Sequence, residues 1–299
     1  MSDITVLIPT RNRKHELSKA IRSALRQSSN PEVLVIDDCS MDGTYDHVRQ
    51  VFPTVHIHRS EVNLGQVKSK NLGHRLSRNP VVATIDDDCV FTSSNTLQQT
   101  LADMNRHPNI AAVAIPMIEH DSNNEERWII EQAPSGTSYV TPFPGGCVAT
   151  KRDSFLQVGG HEGYKREFER SLFVRWLSQG LFSVRGTADP IHHFPSEVRD
   201  KSKIAYYGIR NLLSFGKRFV PNQHLLRYYL YPMVSSLFLW TLRGYPMTSC
   251  RALLRHALYD FHSTHRKPLP PNIFSIYRNH GSFRQKSLLS VDEALTRIR

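Results

Sequence analysis

Three consecutive aspartates, Asp86, Asp87 and Asp88, follow the apolar run Val81–Ile85. Like charges this close repel, and each raises the other's pKa unless a cation is present. Hard divalent cations such as Mg2+ or Mn2+ take carboxylate oxygens and commonly share one or two carboxylates with substrate phosphates. On an extended segment Asp86 and Asp88 point to the same side. They are therefore the pair expected at a metal and a nucleotide, with Asp87 turned away. Asp is also a common turn residue, so the triplet alone leaves a purely structural turn open. Two more polar clusters share this context: Thr10-Arg11-Asn12 after the run ITVLIP, and Asp37-Asp38 after Val33–Ile36. His192-His193 lies beyond the strand-like run Phe182–Arg185. Imidazole ligates several divalent metals, so either histidine could add a ligand.

The elements that must position these residues are legible from periodicity. Ile4–Pro9, Val33–Ile36 and Val81–Ile85 read as strands, being short, apolar and largely β-branched, and Val55–His58 reads as another. Glu16–Leu25 carries Leu17, Ala20, Ile21, Ala24 and Leu25 at helical spacing, and Tyr45–Val51 and Lys68–Arg78 read as further helices. Strands alternating with helices imply an α/β fold, a mostly parallel sheet with helices on both faces. Ligands of such sheets bind outside the carboxyl ends of the strands, where all three polar clusters fall. Further on, Ile110–Ile118 reads as one strand and residues 119–140 as a polar excursion over the site. Pro144-Gly145-Gly146 marks a turn or close backbone approach, and Glu167–Gln179 a helix closed by Gly180.

The 299 residues suffice for one large domain or two small ones. With 39% hydrophobic and 22% charged residues, collagen-like, disulfide-scaffold and wholly disordered classes are excluded. The net charge of +11 is unevenly spread: residues 201–299 hold 16 Lys and Arg against three Asp and Glu, and residues 1–200 are slightly acidic. The chain thus divides into a domain over 1–200 and a basic, aromatic, helical extension over 201–299. An anionic partner of that extension is expected: nucleic acid, a membrane surface or a phosphate-bearing substrate. Tyr228–Leu242 has no charge and is bracketed by Arg227 and Arg243. It is shorter than the ~20 apolar residues of a spanning helix, and Pro232 interrupts it. A core helix or one lying at a bilayer interface both fit. Cys39, Cys89, Cys147 and Cys250 form no CxxC pair, which suits a reducing cytosol, and the start MSDITVLIPT has no leader pattern.

The stretches VLIPTRNR (6–13), LVIDDCSMDGT (34–44), NLGQVKSKNLG (63–73) and VATIDDDCVF (82–91) stand in a fixed order along the chain. In that order and spacing they resemble the family 2 glycosyltransferases, inverting enzymes of the GT-A fold. The resemblance continues more faintly through GGCVATKRDSFLQVGGHE (145–162) and the helix to Gly180. The family's wording there is an IPxYNR-like start, VDDGSxDGT, NxGxxxARNxG, LDxD and GGFDE. The resemblance implies transfer of a sugar from a nucleotide-diphospho-sugar to a hydroxyl. It places Pro9, Thr10 and Asn12 in the loop that holds the nucleobase, Asp38 on the base and Asp37 beside it. Lys70 falls where a cation faces sugar or phosphate, and Asp86 and Asp88 fall on the metal-binding carboxylates, Asp86 also touching the nucleotide. Mg2+ or Mn2+ is the implied cofactor, and the pattern His193-Phe-Pro-Ser196 favours His193 as a further ligand.

The sequence departs from the family at the catalytic base. Aligning Leu172, Arg175 and Gly180 puts Phe168 where the family has Glu, and Glu169 where it has Asp. Glu169 is the candidate base, with Glu167 second. Lys201–Asn211 and Arg266–Leu269 resemble bacterial members that build surface polysaccharides on lipid-linked acceptors at the cytoplasmic face of the membrane. A glycan or lipid-linked acceptor and peripheral attachment to anionic lipid follow, at about 1 kcal/mol per basic residue near the surface. A processive synthase is disfavoured, because Leu172 stands where the QxxRW motif has Gln. A non-catalytic nucleotide-sugar-binding module that lost its base is the alternative reading. Nucleic-acid binding is not expected, for want of a binding motif. Nor is nucleotidylyl transfer, since Thr10–Lys14 contains no glycine.

Overall fold

The computed structural model describes residues 3–134, 136–162, 169–195, 201–230, 234, 246–260, 265–281 and 288–298. Glu167 and most of the uncharged stretch 228–242 lie outside the described residues. The first elements are β1 (Ile4–Thr10), α1 (Lys14–Leu25), β2 (Glu32–Asp37), α2 (Thr44–Val51), β3 (His56–Arg59), α3 (Gln66–Leu76) and β4 (Val81–Ile85). They alternate as the periodicity predicts. Next come β5 (Cys89–Phe91), α4 (Thr96–Met104), β6 (Ile110–Ala114), β7 (Met117–His120), β8 (Glu126–Ile130), β9 (Cys147–Lys151) and α5 (Arg152–Gln157). The last are α6 (Glu169–Leu177), β10 (Phe182–Arg185), β11 (Ile191–His193), α7 (Lys201–Phe219), α8 (Pro246–Arg255), a π-helical turn (His256–Asp260), α9 (Pro271–His280) and α10 (Val291–Ile298).

A seven-stranded sheet has the order β10-β6-β9-β4-β1-β2-β3, with β9 antiparallel to both its neighbours and every other pairing parallel. Every residue of β4 and β6 is buried, as strands covered on both faces must be. Helix α1 lays Leu17, Ala20, Ile21 and Ala24 on the sheet. Leu25 extends the same spacing, but at the helix end it is 40% exposed. β3, at the sheet edge, is short and carries His56, His58 and Arg59 toward solvent, a composition that discourages further strand pairing.

A second sheet, β5-β11-β7-β8, corrects the reading of 110–118 as one strand, and the polar excursion over 119–140 contributes the end of β7 and all of β8 to it. Pro116 has no N–H for a ladder, so the chain leaves the large sheet after Ala114 and re-enters the small one at Met117. β7 then turns back into β8 as an antiparallel pair. The C-terminal elements pack onto the main core. Phe215, Phe219, Leu269, Ile273, Phe274 and Val291 belong to the same apolar cluster as the sheet. Among the described residues no helix is long and apolar enough to cross a membrane.

Candidate active site

β4, β1 and β2 are adjacent and parallel, so their carboxyl ends lie side by side. Thr10 and Asp37 are ladder partners, and the Asp38 N–H donates to the Thr10 carbonyl at 2.9 Å. The loop after β1 is fastened to the loop after β2 by Asn12. Its N–H donates to Ser40 Oγ at 2.9 Å, and its Oδ1 accepts the Met41 N–H at 2.7 Å. Asn12 itself has φ 54°, a left-handed conformation that Asn tolerates better than most residues. Pro9, half-buried, closes the end of β1 opposite Ile36. Asp37 is fully buried and accepts the Ser40 N–H, with Arg59 Nε 3.8 Å from its other oxygen. Asp38 uses both carboxylate oxygens on the N–H groups of Leu64 and Gly65, at 2.5 and 2.9 Å, ordering the entry to α3.

The aspartate triplet is a turn, not the extended segment that the two-residue spacing assumed, because the Cys89 N–H donates back to the Asp86 carbonyl at 3.0 Å. The three side chains therefore separate. Asp87 is buried and accepts the Thr10 hydroxyl at 2.7 Å and Arg13 at 2.9 Å. Burial raises its pKa to about 7, against the pull of Arg13 and Thr10. Asp88 meets Arg13 at 3.0 Å and His193 Nε2 at 3.4 Å. Burial opposes its ionisation, but His193 and Arg13 outweigh burial and hold its carboxyl below the ordinary range. The other face of His193 meets Glu119 through Nδ1 at 3.1 Å. Burial disfavours the imidazolium, yet Asp88, Asp86 and Glu119 together raise its pKa.

β11 brings His193 to this place by pairing with the strand that follows the triplet, His193 opposite Cys89, and the Phe194 N–H donates to the Asp88 carbonyl. Consecutive strand residues face opposite ways, so His192 turns instead to His120.

Asp86 is the triplet member that keeps solvent contact, with its side chain 32% exposed. Its Oδ1 accepts Lys70 Nζ at 3.0 Å, and Lys70, fully buried, also donates to the Gly145 carbonyl at 2.7 Å. The Gly145 N–H donates to Glu169 Oε1 at 2.9 Å. Glu169, first residue of α6, is thereby linked to Asp86 through the backbone of one residue, Gly145, and one ammonium. Gly146 completes the arrangement, because a Cβ there would overlap the Asp86 carboxylate. The Pro144-Gly145-Gly146 signal is thus a close backbone approach.

The donor set fits a hard divalent ion. Asp88 Oδ1 is buried without a hydrogen bond, with the His193 ring beside it; the Asp86 carboxylate lies outside that close group but keeps solvent contact and acts electrostatically on His193. Cys89 lies within the same cluster, and burial pushes its thiol pKa well above the ordinary value. Asp86, Asp88 and His193 are the residues that would hold the ion.

Residues that sequence reasoning passed over hold this site together. Arg13 bridges two of the three aspartates, and its signal was a cation three residues past a strand end facing an acidic triplet. Asn71 clasps the turn after α5 by exchanging two 2.9 Å hydrogen bonds with the His161 backbone. Arg175 fixes the same turn to α6 through the carbonyls of Val158 and Gly160. Glu119 had no local signal, since it reaches His193 only by the pairing of β7 with β11.

A family model described as Glycosyl transferase family 2 matches residues 5–173. An uncharacterized glycosyltransferase of Haemophilus influenzae is 28% identical over 192 residues, covering 59% of this chain and 62% of that protein. TuaG of Bacillus subtilis, named for teichuronic acid biosynthesis, is 24% identical over 157 residues, covering 50% of this chain and 62% of that protein. The chain thus spans less than two thirds of the length of either relative. The mannosyltransferase PcManGT from Pyrobaculum calidifontis, solved in complex with GDP-Man and Mn2+, is similar with a TM-score of 0.58 at 17% identity. The likeness covers 86% of this chain and 75% of that one. At that identity it is a likeness of fold, the GT-A-like mixed sheet flanked by helices. With the family model spanning more than half of its length, from the first strand into the helix that begins at Glu169, the chain belongs to glycosyl transferase family 2.

Proposed function

We propose that the protein transfers a sugar, with inversion, from a nucleotide-diphospho-sugar to a hydroxyl of a glycan or lipid-linked acceptor. One observation carries this reading: Glu169 is joined to Asp86 by three hydrogen bonds in series, through Gly145 and Lys70, beside the carboxyl end of β4. This connection supports a base that works beside a diphosphate-binding cluster.

In this mechanism Pro9, Asn12 and the loops tied by Asp37 and Asp38 shape the nucleobase end, and Thr10 acts indirectly by holding Asp87. Glu169 takes the proton of the acceptor hydroxyl as its oxygen attacks the anomeric carbon. The new glycosidic bond forms as the bond from that carbon to the diphosphate oxygen breaks, and the nucleoside diphosphate leaves. Mg2+ or Mn2+ on Asp86, Asp88 and His193 would offset the negative charge growing on that leaving group. Lys70, held between Asp86 and Gly145, adds a fixed positive charge to the same region.

The acceptor end of this proposal rests on the C-terminal third. Leu226, Leu230, Val234, Leu254, Leu258 and Tyr259 are exposed, and Arg227, Arg251 and Arg255 are interspersed with them in sequence. Apolar side chains among cations suit an anionic membrane surface, which would set the protein at the inner face of the cell membrane beside a lipid-linked acceptor.

Glu169→Gln tests the base. The amide oxygen can still accept the Gly145 N–H, so the fold and affinity for the sugar donor should persist while turnover falls ~10²- to 10⁴-fold. Unchanged turnover would remove Glu169 from the mechanism, and Glu167→Gln then tests the second carboxylate.

A further inference from the structure

His120, Glu126 and His192 form a cluster separate from the catalytic residues. They come from β7, β8 and β11, three adjacent strands of the small sheet, and lie on the face opposite His193 and Glu119. His120 Nε2 and His192 Nδ1 are 2.7 Å apart, and Glu126 Oε1 lies 3.9 Å from His120 Nε2. The three side chains each present one ligand atom within 4.8 Å of the others.

The protonation pattern points further. His120 Nδ1 lies 3.1 Å from Asn124 Oδ1, which can only accept, so Nδ1 carries the proton and Nε2 presents its lone pair to the cluster. Metal-bound histidines are oriented in this way, with the outer ring nitrogen donating to an oxygen. The turn that supplies Asn124 is specifically shaped: Asp121 Oδ1 accepts the N–H groups of Asn123 and Glu125, and Asn124 has φ 61°. Phe194 stacks on the His120 ring at 4.5 Å and fixes its plane. Burial and the neighbouring His120 lower the His192 pKa, which favours the neutral imidazole that metals require.

We propose that His120 Nε2, His192 Nδ1 and Glu126 hold a transition-metal ion, best matched by Zn2+, distinct from the ion of the catalytic crevice. Two imidazoles, one carboxylate and an open fourth position for water are a common tetrahedral zinc set. Zinc would replace the proton on His192 Nδ1 that now points at His120 Nε2, and that proton would move by way of solvent to His192 Nε2, so that both ligands stay neutral imidazoles. Ligand nitrogens on one tetrahedral zinc are about 3.3 Å apart, from bond lengths near 2.05 Å, so the rings need to part by only about half an ångström. The partly exposed His192 and exposed Glu126 can supply that movement. A bound ion would fasten β11 to the β7–β8 pair, and β11 is the strand that delivers His193 to Asp88.

Zinc binding by the full chain, measured by competition with a chromophoric chelator in excess Mg2+, tests this directly. Magnesium prefers oxygen ligands and should occupy the catalytic crevice without displacing zinc from imidazoles. The unmodified protein should retain one zinc equivalent, and ZnCl2 should raise its Tm. His192→Ala and Glu126→Gln should each weaken binding at least tenfold and abolish the rise in Tm, while Asp88→Asn keeps both. Both substitutions alter accessible side chains, and circular dichroism verifies their fold. Unaltered zinc affinity in His192→Ala and Glu126→Gln, or loss of the zinc equivalent in Asp88→Asn alone, would overturn the proposal. The outcome is independent of whether sugar transfer occurs.

Discussion

Substituting Gly146 by Ala adds one methyl group at the most constrained point of the crevice. The new Cβ would overlap the Asp86 carboxylate, which must retreat by roughly 1 Å or more to regain van der Waals separation. That retreat stretches the 3.0 Å ion pair with Lys70, whose ammonium is fully buried and keeps the Gly145 carbonyl as its other described hydrogen-bond acceptor. Removing a partner from a buried pair costs ~3–5 kcal/mol. Here the pair is stretched, not deleted, and Asp86 is about a third exposed, so a loss of ~2 kcal/mol is expected. Scanning fluorimetry should read this as a fall in Tm of a few degrees. The effect on function should be larger in proportion, because misplacing a reacting or charge-bearing group by ~1 Å can cost 10²-fold in rate. Titration with Mn2+ and turnover of nucleotide sugars would be compared at a temperature where both proteins are folded. If Gly146→Ala keeps the parent's Mn2+ affinity and turnover, the position of Asp86 does not govern the site and this reasoning is refuted.

Two further predictions follow from other parts of the molecule. Burial lowers the His74 pKa to about 4, below its unfolded value of 6.5, so the unfolded chain takes up a proton that the native state refuses as pH falls. Stability is therefore fully present above pH 6.5 and is lost by up to about 3 kcal/mol between pH 6.5 and 4. His74→Gln should flatten the pH dependence of urea unfolding in that window, and an unchanged slope would contradict the assignment. Cosedimentation with vesicles rich in anionic lipid should succeed at low salt and weaken as salt rises, whereas equal binding to neutral vesicles would exclude an electrostatic contribution from the C-terminal cations.

Much of the fold was legible because the first half of the chain obeys local rules. Strands β1, β2 and β4 are apolar runs that end in polar residues, and the helices between them repeat at 3.6 residues. The parallel order then puts Thr10, Asp37 and Asp86 at one edge without further information. The second half depends on nonlocal pairing. β5, β9 and β11 are only three to five residues long and take their meaning from partners far along the chain. β7 was hidden in a continuous apolar run, where Pro116 was the one mark of a break. In the site, Asp88 and His193 could be nominated from residue type, but Glu119 and Arg13 acquire roles only through contacts made across strands. The spacing argument for Asp86 and Asp88 assumed an extended chain, and the turn gives each carboxylate its own cation instead: Lys70 for Asp86, and Arg13 with His193 for Asp88.

The central claim is that Asp86 and Asp88 hold a divalent ion against the diphosphate of a nucleotide sugar. Calorimetry of UDP and GDP binding, with and without Mn2+, measures it most directly when the parent is compared with the Asp86→Asn/Asp88→Asn double variant. The account predicts that Mn2+ tightens binding of the preferred nucleotide at least tenfold in the parent and leaves it unchanged in the double variant. The same Mn2+-dependent gain in both proteins would contradict it.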